Sequence, residues 1–73
     1  MNISPIGSNQ TVLYYNGNEI LFSYQTPVAA FVSGRGYVRT AKYFSKTTSK
    51  HINHWVDEDA EIVSQEYIES LVK

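Results

Sequence analysis

The sequence has no cysteine, so neither a disulfide framework nor a thiolate zinc site can staple the fold. It has no long hydrophobic run either. The longest apolar stretch, Val28 to Val32, falls far short of the roughly 20 residues that span a bilayer. The opening residues, Met1-Asn2-Ile3-Ser4-Pro5-Ile6-Gly7, carry neither the basic region nor the apolar region of a signal peptide. The expectation is a soluble intracellular protein with no membrane partner. Net charge is almost missing, at −1, so the whole-chain balance does not advertise a nucleic-acid binder. Length is short as well. A chain of 73 residues buries only about 60% of its unfolded surface, which excludes multi-domain enzymes, solenoids and folds built round a large cavity.

What is present belongs to a small globular domain. Apolar residues make up 42% of the chain and aromatics 14%, with six tyrosines, the opposite of a disordered composition. Residues 1–10 are polar and turn-rich and read as a flexible N-terminal arm; residues 11–73 read as one domain. Thr11 to Tyr15 is rich in β-branched and aromatic side chains, a strand signal. Asn16-Gly17 follows at once, the strongest short hairpin signal, because a type I′ turn needs positive φ at both central positions. The return strand is Asn18 to Tyr24. Pro27 marks a break, Val28 to Val32 a third strand, Ser33-Gly34-Arg35-Gly36 a turn, and Tyr37 to Tyr43 a fourth strand. Short links make antiparallel pairing the natural topology.

The period then changes. Thr47, Thr48 and Ser49 are successive N-cap candidates, and Ile52, Trp55 and Val56 fall at helical spacing, giving a helix from about Ser49 to Val56. Asp57-Glu58-Asp59 is an acidic break. Ser64 then caps a second helix, with Glu66 in its first turn and Lys73 at its end, in agreement with the helix dipole. The expected fold class is α+β: a four-stranded antiparallel β-meander followed by two short helices, both helices covering one face of the sheet.

The near-zero charge is a sum of two blocks. From Ile20 to Val56 every formal charge is positive: Arg35, Arg39, Lys42, Lys46 and Lys50. From Asp57 to Glu69 every one is negative. With Tyr37 and Tyr43 interleaved, the basic block has the pattern of single-stranded nucleic-acid binders, which combine charge with stacking rings. The plainer alternative is that the fourth strand and the acidic helix neutralise each other. A third is an acidic face for a basic protein.

The densest segment runs from Lys46 to Trp55. Thr47, Thr48 and Ser49 before a helix, flanked by Lys46 and Lys50, form a candidate anion-binding helix start, or simply redundant caps. His51, His54 and Asp57 recur every three residues, a pattern compatible with a metal but lacking an evident fourth ligand. No catalytic residue stands out, and no cofactor or metal is expected.

Two elements carry a resemblance. Leu21-Phe22-Ser23-Tyr24-Gln25-Thr26-Pro27-Val28-Ala29 contains FSYxTPVA, and Thr47-Thr48-Ser49-Lys50-His51-Ile52-Asn53-His54-Trp55 reads TTSKHINxW. In that order they resemble a family of small bacteriophage-encoded proteins without an established activity. The resemblance implies a viral origin and the host cytoplasm, and no mechanism. Together with the charge layout, it leads to the expectation of a non-enzymatic viral protein that binds nucleic acid. The alternative is a protein-interaction module acting on a host or virion protein, with homo-oligomerisation as one route to stability in so small a domain.

Overall fold

A computed structural model describes residues 2–7 and 9–73, with Met1 and Ser8 outside the described residues. It is an α+β domain whose centre is one six-stranded sheet in sequential order. The strands are β1 (Asn2–Gly7), β2 (Gln10–Tyr15), β3 (Asn18–Ser23), β4 (Thr26–Val32), β5 (Gly36–Thr40) and β6 (Glu61–Val63). Helix α1 (Lys46–Trp55) lies between β5 and β6, and α2 (Gln65–Ser70) follows β6. Strands β2 to β5 are the expected antiparallel meander. Asn16 and Gly17 both have positive φ, at 54° and 78°, the geometry the Asn-Gly hairpin demands.

The sheet is longer than expected at both ends. Residues 2–7, read from the sequence as part of a flexible arm, run antiparallel to β2 as an edge strand. Pro5 is compatible with that position, because an edge strand has one side that needs no ladder donor. At the other edge, β6 pairs with β5 in parallel, so the sheet is mixed. A parallel return needs a long crossover, and α1 supplies it. The helices are therefore separated by a strand rather than consecutive. The fourth expected strand also stops early: β5 ends at Thr40, whose hydroxyl accepts from Lys42 N–H at 3.1 Å and turns the chain away.

The two helices do not share a face. Val12, Leu21 and Ala29 are direct partners across β2, β3 and β4, and they pack with Ile52 of α1. The next rung, Leu13, Ile20, Ala30 and Val38, points the other way. On that side Ile20, Ala30 and Val38 are covered by Tyr67 of α2 and by Leu71 and Val72 just after it. Ile20 and Leu21 are neighbours on opposite faces, and both are 0% exposed. The expectation of one covered face is thus corrected to one helix on each. Adjacent apolar pairs are what a strand buried on both sides requires.

Helix α1 begins earlier than its three hydroxyls suggest. Ser45 is the cap, its side chain accepting from Thr48 N–H at 3.1 Å. Helix α2 starts as expected, with Ser64 accepting from Tyr67 N–H at 3.2 Å. Gln65 at its start donates to the Pro27 carbonyl at 2.8 Å, tying α2 to β4.

Candidate functional site

The five basic residues of the middle segment do not form one strip. Arg35, in the turn before β5, is held by Glu61 of β6 through two bonds, Nε to Oε1 at 3.1 Å and Nη2 to Oε2 at 2.7 Å. Its guanidinium also lies over the Tyr67 ring, 4.7 Å from the centroid. This is the bidentate, ring-stacked arrangement that arginine makes and lysine cannot. The bond from Arg35 holds the Glu61 carboxyl below its ordinary value. A depressed carboxylate contributes stability above its unfolded pKa, about 4.3, and loses it as pH falls through the folded value. Acid unfolding of the Glu61→Gln variant should therefore be less steep than that of the wild type below about pH 4 and similar in shape near neutrality. Identical acid limbs would show that the pair contributes nothing.

Tyr37 also leaves the expected strip. Its ring is edge-on to Trp55 at 5.4 Å and to Phe31 at 4.8 Å. The remaining residues converge. Arg39 of β5 donates from Nη1 to Asn53 Oδ1 of α1 at 2.8 Å. Lys42 carries its ammonium 5.2 Å from the Phe44 ring centroid. Arg39, Lys42, Tyr43, Ser49, Glu58 and Ile62 line a cleft of about 330 Å³ between β5, α1 and β6. Tyr43 is 71% exposed and Ile62 is 66% exposed. On α1, Lys46 and Lys50 fall at helical spacing from Ser49 and Asn53, so they extend this basic side along the helix.

A feature missed at the sequence level lies just beyond. Residues 57–62 divide two clefts by strict alternation: Glu58, Ala60 and Ile62 face the basic one, while Asp57, Asp59 and Glu61 face a second of about 380 Å³. The period of two was visible in the sequence, but the acidic cluster reads as a loop.

The hydroxyl run is placed differently from the expectation. Thr47, Thr48 and Ser49 lie inside α1 rather than ahead of it, because Ser45 takes the cap. Thr48 is buried, and its hydroxyl is 2.9 Å from Ser23 Oγ at the end of β3. Ser23 Oγ is also 2.8 Å from His51 Nδ1. Ser23 has one hydroxyl proton and two lone pairs, so it donates to at most one of these partners, and the His51 tautomer sets which. The Tyr24 ring lies 6.1 Å from the His51 ring, above this knot. The two sequence elements quoted above thus meet at Ser23, Thr48 and His51. At 2% exposure, Ser23 is closed to a substrate.

His51 is committed to Ser23, and His54 is exposed. Among the described residues no three His, Cys, Asp or Glu side chains are grouped to hold a metal ion, so His51, His54 and Asp57 do not assemble. No described helix is long and apolar enough to cross a membrane.

No curated protein and no solved structure matches the chain. A family of unknown function, DUF8033, matches residues 1–70. The match spans the whole sheet and both helices, and the chain belongs to DUF8033.

Proposed function

We propose that this chain is a small non-enzymatic protein of bacteriophage origin, acting in the host cytoplasm, whose basic cleft binds single-stranded nucleic acid. The resemblance of its two sequence elements to phage-encoded proteins supports the origin. One observation carries the binding reading: an exposed tyrosine, Tyr43, lines the same cleft as Arg39 and Lys42. Bases stack on such rings and phosphates follow such charges. The site comprises Arg39, Lys42, Tyr43, Lys46 and Lys50. Arg35 is neutralised by Glu61, and Tyr37 is turned toward Trp55, so neither belongs to it. Glu58 opposes phosphate within the cleft and sets a modest affinity.

The test is fluorescence anisotropy with a labelled single-stranded oligonucleotide at low salt. Replacing Tyr43 with alanine should weaken binding by about 1 kcal/mol, roughly fivefold, through loss of one stacked base. Equal affinity for wild type and Tyr43→Ala would remove stacking from the reading. The alternative, docking to a host or virion protein, draws its support from the second cleft.

A further inference from the structure

We infer that the face formed by Phe31 and Tyr37, rimmed by Asp57 and Asp59, is a docking site for an arginine-bearing segment of a partner protein. The floor of this face is a rung of the sheet. Tyr14, Glu19, Phe31 and Tyr37 are direct register partners across β2 to β5. Tyr14 and Phe31 remain exposed although large and apolar. Neither helix reaches them: α1 ends at Trp55, which meets only the Tyr37 end of the row. Two exposed rings on one rung, Tyr14 and Phe31, make a surface that gains by being covered.

Charge decides what covers it. The cleft beside Phe31 and Tyr37 is lined by Asp57, Asp59, Glu61 and Arg35, three carboxylates against one guanidinium. Glu61 is spent on Arg35, the one ion pair among the described residues. That leaves Asp57 and Asp59 as the charge in excess, with Glu19 in the rung itself, between Tyr14 and Phe31. Phosphate is repelled here, so the occupant is not the nucleic acid proposed for the other cleft. The complementary group is a planar cation that stacks on rings and bonds carboxylates in pairs, which is arginine. Arg35 already makes that combination within the chain, against Tyr67 and Glu61. The second cleft presents the same two kinds of group, and its own arginine, Arg35, is taken up by Glu61.

Trp55 is the single tryptophan and sits edge-on to Tyr37, so its emission reports on this face. The experiment is a titration of the full chain with the peptide (Gly-Arg)4 at low salt, against (Gly-citrulline)4, which keeps the shape and lacks the charge. The expected result is a saturable change in Trp55 emission with the arginine peptide only. In the Asp57→Asn, Asp59→Asn double variant, shown folded by circular dichroism, affinity should fall about tenfold through loss of two exposed charge pairs. No saturable change, equal affinity for the citrulline peptide, or an unweakened double variant would each overturn the inference. None of these outcomes bears on Arg39, Lys42 or Tyr43, so the nucleic-acid reading stands or falls separately.

Discussion

Leu21→Ala and Ile20→Ala should each cost about 2–5 kcal/mol of unfolding free energy, although the two residues are neighbours on one strand. Both side chains are 0% exposed, and each is locked into a different core. Leu21 sits with Val12, Ala29 and Ile52 under α1; Ile20 sits with Ala30 and Val38 under the α2 side. A domain of this length has a total stability of roughly 4–11 kcal/mol, so either change brings the chain close to the unfolding midpoint. Urea unfolding followed by tryptophan emission measures both. A sheet open on one face would give one large loss and one near zero. Two comparable losses are the signature of a sheet buried on both sides.

Ser23→Ala is the second large effect, at about 1–3 kcal/mol. The serine itself contributes little apolar area. Its removal leaves the buried Thr48 hydroxyl and His51 Nδ1 without the group they both address. Stranding a buried polar atom costs its full desolvation, whereas replacing both partners with apolar groups is close to neutral. The double variant Ser23→Ala, Thr48→Val should therefore be more stable than Ser23→Ala alone. Additive losses in the same unfolding experiment would mean that the two hydroxyls are not coupled.

Local signals in this chain were legible wherever one residue type decides the backbone. Asn16-Gly17 forces its turn, and Ser64 finds its own helix N–H at Tyr67. The Ser45 cap was obscured by redundancy: four hydroxyls lie within five residues, and tertiary structure chooses among them by engaging Thr48 with Ser23. Strand β6 was obscured by its acidic neighbours and its brevity. Three residues are too few to stand out from the acidic run before them, and the parallel partner lies 23 residues upstream, Val38 against Glu61, joined through α1. The charge segregation was visible, yet its consequence was not. Arg35 and Glu61 are 26 residues apart, and only the crossover brings them into contact and removes Arg35 from the basic strip. What survives of the strip is narrower, at Arg39, Lys42 and Tyr43, with an acidic cleft on the far side of residues 57–62.

The most direct test of the basic cleft is the salt dependence of oligonucleotide affinity. For single strands the slope of log K against log salt is about −0.7 per phosphate neutralised. Four cations, Arg39, Lys42, Lys46 and Lys50, set an upper magnitude of roughly 3 for that slope. The Lys42→Gln variant should bind more weakly at every salt concentration and show a slope shallower by about 0.7. Binding that is absent at low salt, or a slope that Lys42→Gln leaves unchanged, would contradict the account.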